Sequence, residues 1–250
     1  MNKLKSKWIY KSTAIYALVL TALAFKRNSG FYSWWDLGLI IDVLNNSIKG
    51  MLFYSNEFRM YTTTHLNPLM TLLFPFHYIF QSTYIILLLY CIVIASTAFF
   101  IYKTAKLYLD ENKSRILTIG FMIIPTVWRT ALEDFQPIAL GLPVLAYLMY
   151  KTLKEEFDYK FYIGIMLFLF AQENAALVLI FIGIYMLIKR HWSNGVKTIL
   201  IGIIWFILAV NIILPALNGG VYANSGYVFL QMRYGYLGNS IGEIIRTIVT

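Results

Sequence analysis

Apolar residues gather in blocks at about 8–25, 66–80, 83–102, 115–128, 137–150, 160–188 and 197–214, separated by short polar segments. Against the ~20 residues that carry a helix across the hydrocarbon core, the longer blocks predict membrane-spanning α-helices. The basic residues between them set the parity. Lys3 to Lys11, Lys103/Lys106/Lys113/Arg115, Lys151/Lys154/Lys160 and Lys189/Arg190/Lys197 are all expected on the cytoplasmic side. Only two crossings can then separate the first two basic segments, so 66–80, broken by Pro68 and Pro75, is predicted to be juxtamembrane or re-entrant. By the same rule, the run between Lys160 and Lys189 must be a hairpin of two short helices with Gln172-Glu173-Asn174 at its apex. The expectation is an all-α polytopic bundle of about seven helices, a single transmembrane domain over residues 1–250. Its N-terminus is cytoplasmic, and a first extracytoplasmic loop at 27–82 carries a juxtamembrane helix. Residues 215–250 form an extracytoplasmic C-terminal segment, ending at Ser240 to Thr250 in an amphipathic helix on the outer surface.

Composition narrows the class further. Hydrophobic residues make up 59% of the chain, charged residues 13%, and mean hydropathy is +0.65, which excludes a soluble globular domain. A formal net charge of +9 would suit a nucleic-acid binder, yet the cations sit between apolar blocks and no basic-aromatic surface accompanies them. The single cysteine, Cys91, excludes an internal disulfide and a thiolate metal cluster. Lysines ahead of an apolar stretch ending Ala22-Leu23-Ala24 resemble a signal peptide. Trp8 to Phe25 is nevertheless close to span length and further spans follow, so an uncleaved anchor is expected.

Four polar stretches interrupt the apolar sequence: Trp35-Asp36-Leu37-Gly38, His65-Leu66-Asn67-Pro68, Glu133-Asp134-Phe135-Gln136-Pro137 and Gln172-Glu173-Asn174. Carboxylates and a histidine are expensive near hydrocarbon, so chains that keep them there usually use them. The parity drawn from lysines and arginines alone brings all four stretches to the extracytoplasmic side. Ser33-Trp34-Trp35-Asp36 fits a helix start ahead of the stripe Leu37, Ile40, Ile41, Leu44 and Ile48, with Asp36 stabilising the first turn. The chemical alternative makes Asp36 a general base or metal ligand at the membrane surface. Thr64 or Asn67 together with Pro68 explains a helix entry. Nothing in that account needs His65, which points to a phosphate contact or a metal ligand.

Asp134 can cap the helix that Pro137 helps to start, while Arg129 can pair with Glu133 or Asp134 or bind an anionic headgroup. Glu173 is the one acid in a long apolar run and requires a partner or a cavity. His77 and His191 receive no role. Asn211 to Asn239 is rich in tyrosine, asparagine and glycine, with Arg233 as its one charge and a candidate phosphate contact. There is no Gly-rich phosphate loop, zinc-binding helix motif or nucleophile elbow.

The order Asp-Leu-Gly at 36–38, His-x-x-Pro at 65–68, acidic-Phe-x-Pro at 134–137 and Gln-Glu-Asn at 172–174 resembles a known pattern. It is similar to a prokaryotic family of predicted polytopic membrane proteins of unknown function, related to GT-C glycosyltransferases. Gln136 stands where that family usually has a histidine, and Gln172 where it commonly has a lysine. The resemblance spans roughly Trp34 to Pro215. It implies a helical GT-C-like module with a catalytic acid, Asp36, in the first external loop, and a polyprenyl-phosphate-linked sugar as donor.

On that basis the expected function is sugar transfer to an acceptor hydroxyl on the extracytoplasmic face of the plasma membrane. Asp36 and Glu173 are the catalytic candidates and Glu133 and Asp134 the supporting acids. His65, Arg129 and Arg233 are expected to bind phosphate, and magnesium or manganese to sit between Asp36 and Glu173. Membrane lipid and the lipid-linked sugar are the expected partners, with a further subunit as an option and no nucleic acid. A lipid-carrier or solute transport protein, or a non-catalytic membrane subunit, would use the same acids differently.

Overall fold

The computed structural model describes residues 3–32, 35–56, 59–60, 65–133, 135–217, 235–238, 242–243 and 246–247. Asp134, Arg233 and most of the segment beyond 217 lie outside the described residues, as do Ser33, Trp34 and Thr64. Helices dominate. They are α1 (Lys3–Ser29), α2 (Trp35–Ser47), α3 (Phe74–Phe80), α4 (Thr83–Tyr108), α5 (Glu111–Ile123) and α6 (Pro125–Leu132) in the first half. The second half adds α7 (Leu142–Leu153), α8 (Tyr159–Leu169), α9 (Ala175–Ile188), α10 (Trp192–Leu208) and α11 (Leu214–Leu217). Between α2 and α3 lies a short antiparallel ribbon of β1 (Tyr54–Ser55) and β2 (Arg59–Met60). Single 3₁₀ segments at Pro68–Leu73 and Pro137–Gly141 lead into α3 and α7.

Local sequence explains most boundaries. Asp110 and Asp158 cap α5 and α8 by accepting from Lys113 N and Phe161 N, at 2.9 and 3.1 Å. Pro125 opens α6 and bends it 47° from α5, because its ring excludes the hydrogen bond and the space a continuous helix needs. Pro215 offers no N–H to the carbonyl of Asn211, and the chain loosens there into a π-segment, Ala209–Ile213, joining α10 to α11. Gln81, in the left-handed region at φ 45°, ends α3.

Among the described residues, three helical stretches are long and apolar enough to cross a membrane: Lys7–Ser29, Thr83–Tyr108 and Trp192–Leu217. The bent pair α5/α6 makes a fourth if it is one span. The chain is therefore an all-α integral membrane protein. Pro68–Phe80, Pro137–Leu153, Tyr159–Leu169 and Ala175–Ile188 are apolar but shorter. The first of these is the segment expected to be juxtamembrane. The hairpin expected at 160–188 is α8 and α9, with Gln172-Glu173-Asn174 in the turn between them.

α1 and α4 run antiparallel. Trp8 meets Tyr102 with ring centroids 5.7 Å apart at one end, and Phe25 meets Tyr84 at 4.9 Å at the other. The basic segments share the first end. Arg115 stacks 5.3 Å above the Trp8 ring, and Lys106 and Arg115 both pair with Glu111. Tyr108 donates to Leu153 O at 3.3 Å, and His191 lies 3.4 Å from Glu155. Buried Lys151 is held there by Glu156 and Asp158, at 2.7 and 3.1 Å. One apolar core joins α1, α2, α4, α6 and the 139–140 segment, and a second joins α7, α8 and α9.

α9 and α10 approach closely through glycines. A Cβ on Gly183 would stand 2.6 Å from Ile199 Cγ1 and 2.9 Å from the Gly195 carbonyl oxygen. Neither distance is tolerated, so Gly183→Ala is expected to cost about 1–3 kcal/mol. Gly120 of α5 meets nothing within 4 Å, and Gly120→Ala is expected to gain about 0.5–1 kcal/mol from the lower backbone entropy of alanine. Thermal unfolding of both variants in detergent checks the pair, since opposite signs are predicted.

Candidate functional site

At the end of the bundle away from the basic segments, the four polar stretches meet. α2 begins at Trp35, and its apolar side, Leu37, Ile40, Val43 and Leu44, is buried in the first core. That packing fixes Asp36 in the first turn of the helix, half-buried, where the exposed N–H groups favour a carboxylate. Asp36, His65, Asn67, Gln136, Gln172 and Asn174 line one cavity of about 500 Å³, together with Trp35 and the apolar side chains of Leu39, Ile40, Phe135 and Ile138.

The second and fourth stretches are stitched together although they lie more than a hundred residues apart. Glu173 accepts from Leu66 N at 2.9 Å through one oxygen, and its other oxygen lies 2.9 Å from His65 Nδ1. Asn67 Nδ2 donates to Ala171 O at 2.6 Å, and Leu69 N donates to Phe170 O at 2.8 Å. The amide of Gln172 reaches the same His65 nitrogen at 2.6 Å. One Nδ1–H cannot both donate to Glu173 and accept from Gln172, so in the Glu173-paired form the amide turns its oxygen to the ring. Nε2 is then the ring nitrogen left without a partner among the described residues.

Glu173 is buried and its charge is compensated locally. Burial alone raises its carboxyl pKa, but the His65 hydrogen bond and charge, with the Leu66 N–H, outweigh burial and hold it below the ordinary 4.5. Asp36 differs, because among the described residues no hydrogen bond or ion pair occupies its carboxylate. Asn67 is buried and its Oδ1 has no partner among the described residues, so it offers an acceptor to a ligand in the cavity.

The remaining candidates divide. Arg129 and Glu133 pair with each other along α6, exposed, and neither lines the cavity. Asp134 and Arg233 lie outside the described residues. Both oxygens of Glu173 are taken by protein donors, and among the described residues no three His, Cys, Asp or Glu side chains come together to hold a metal ion. The described residues by themselves do not make the donor set of a cation bound by protein ligands alone.

Sequence reading missed Tyr90. It is fully buried in α4, stacked on Phe135 with centroids 4.2 Å apart. Its hydroxyl accepts from Gln136 N and donates to Thr130 O, each at 3.1 Å, which pins the third stretch against the cavity. A tyrosine inside an apolar run carries no signal of that role. Tyr90→Phe is expected to cost about 1–2 kcal/mol, because Gln136 N–H and Thr130 O lose their partner, and a lowered Tm in detergent checks it. Asp42 was also missed. It accepts from Asn56 N and Asn56 Nδ2, at 2.7 and 2.6 Å, and so closes the loop after α2. His77 is buried and bonded to Asn45 Oδ1 at 2.8 Å, away from the cavity lining.

The model of the family described as "Predicted membrane protein (DUF2079)" matches residues 29–250. The chain belongs to that family. Membership covers all four polar stretches and the cavity they form, and the family is one of membrane proteins of unknown function. No curated protein and no solved structure matches the chain.

Proposed function

We propose that this DUF2079 protein is a membrane glycosyltransferase of the GT-C type, transferring a sugar from a polyprenyl-phosphate donor to an acceptor hydroxyl on the extracytoplasmic face of the plasma membrane. One observation carries the reading: Asp36, whose carboxylate has no partner among the described residues, and His65, braced from behind by Glu173, line the same cavity. Asp36 takes the proton of the acceptor hydroxyl as its oxygen attacks the anomeric carbon. The bond from that carbon to the phosphate oxygen breaks, and polyprenyl phosphate leaves with the electron pair. His65, held at Nδ1 by Glu173, presents Nε2 to the leaving phosphate. Glu173 is a positioning residue in this scheme, acting through the histidine. Amides at Gln136, Gln172, Asn67 and Asn174 suit the hydroxyls of an uncharged sugar.

The orientation follows from the basic segments, which belong at the cytoplasmic end. The cavity then opens outside, and α7, α8 and α9 cross as short helices to complete a seven-helix module. The test is incubation of the purified chain with labelled polyprenyl-phosphate sugars and hydroxyl acceptors. Label appearing in an acceptor, with release of polyprenyl phosphate, is expected. Donors that remain intact across the panel would sink the proposal.

A further inference from the structure

Apart from the polar cavity, an apolar groove of about 580 Å³ lies between α1 and α4. Thr13, Ala14 and Ala17 of α1 form its floor, and Leu88, Ile92 and Phe99 of α4 its far wall. Its position on two spanning helices sets it in hydrocarbon, where an apolar groove holds an acyl chain as readily as a side chain.

What stands at its end decides the occupant. On α1 the groove positions 10, 14, 17 and 21 extend at helical spacing back to Lys7, and positions 14 and 18 back to Lys11. On α4, positions 92, 96 and 99 extend forward to Lys103. All three lysines therefore continue the groove's own walls, at the same end. Among the described residues none of them is in an ion pair, although Lys106, Arg115 and Lys151 nearby all are. Lys103 instead lies 4.5 Å above the Phe99 ring, which ties its ammonium group to the groove wall. An apolar trough that ends in three unneutralised cations matches an amphiphile with an anionic head.

We propose that the α1/α4 groove is a binding site for one anionic glycerophospholipid, an acyl chain lying along Ala14 and Ala17 and the phosphate meeting Lys7, Lys11 and Lys103. The site lies at the basic end of the bundle, opposite the polar cavity, and does not depend on the function proposed for that cavity. A second copy of the chain would not suit it, because two such surfaces would bring six lysines together.

The test is native mass spectrometry of the delipidated full chain, titrated with dioleoyl phosphatidylglycerol or dioleoyl phosphatidylcholine. One phosphatidylglycerol is expected to bind well ahead of phosphatidylcholine, and Lys11→Gln and Lys103→Gln are each expected to weaken it by roughly fivefold. Ala14→Phe, at an exposed position that fills the trough, is expected to abolish the preference without lowering the unfolding temperature. Equal retention of the two lipids, or undiminished preference in Ala14→Phe, would overturn the proposal. So would polyprenyl phosphate displacing phosphatidylglycerol at lower concentration, or Ala14→Phe converting a dimer to a monomer.

Discussion

Asp36→Asn is expected to lower sugar transfer by roughly 10²- to 10⁴-fold, the loss that follows removal of a positioned general base. Asparagine keeps the size and the hydrogen-bonding oxygen of aspartate, so the first turn of α2 and the burial of Leu37, Ile40 and Leu44 behind it should survive. The cost in stability should be small, about 0.3–1 kcal/mol from the lost favourable contact with the helix dipole. Rate and Tm measured on one preparation separate the two roles. A large fall in Tm with little loss of transfer would reduce Asp36 to a helix-start residue. Since Asp36 is the one carboxylate lining the cavity among the described residues, Glu133→Gln, on the exposed Arg129 pair, is expected to leave the rate near wild type.

Glu173→Ala should lower stability by about 1–3 kcal/mol, or roughly 3–10 °C in Tm. The loss arises because buried Leu66 N–H is left without an acceptor while His65 loses the group that orients it. Glu173→Gln keeps one oxygen and should fall between. The pH dependence has a defined sign. Glu173 is held below 4.5 in the folded chain, so its contribution is fully present above that value and is lost as pH falls through the depressed folded value. The Tm gap between wild type and Glu173→Ala should therefore narrow as the pH is lowered through the carboxylate range. A gap that is unchanged to about pH 3 would mean that Glu173 contributes by shape, without its charge.

Much of the fold was legible because its determinants are local. Span length and the prolines at 68, 75 and 137 are each readable from a few residues, whereas the capping aspartates 110 and 158, equally local, entered no expectation. The hairpin at 160–188 was fixed by the charges at its two ends, and the structure has its turn at Phe170–Asn174. The break at Ile124 was not foreseen, since 115–128 reads as one apolar block until Pro125 is given its full weight. The site was legible at the level of which stretches converge, but the assignment of partners was not. Arg129 was free in sequence to meet a phosphate or either acid, and helical spacing gave it to Glu133. Glu173 needed a partner on any reading. That the partner is His65, with Leu66 N–H as the second donor, depends on how the segment at 65–69 packs against the α8/α9 turn, which no local pattern encodes.

The most direct measurement uses the Gln136→Cys variant, which puts a single thiol on the cavity wall, in a Cys91→Ala background that removes the buried native one. Intact cells are treated from outside with a membrane-impermeant maleimide, with and without a polyprenyl-phosphate sugar. If the polar stretches form one external donor site, the thiol introduced by Gln136→Cys is labelled from outside and the lipid-linked sugar slows its labelling. Labelling only after the membrane is permeabilised, or a rate that the donor leaves unchanged, would contradict the account.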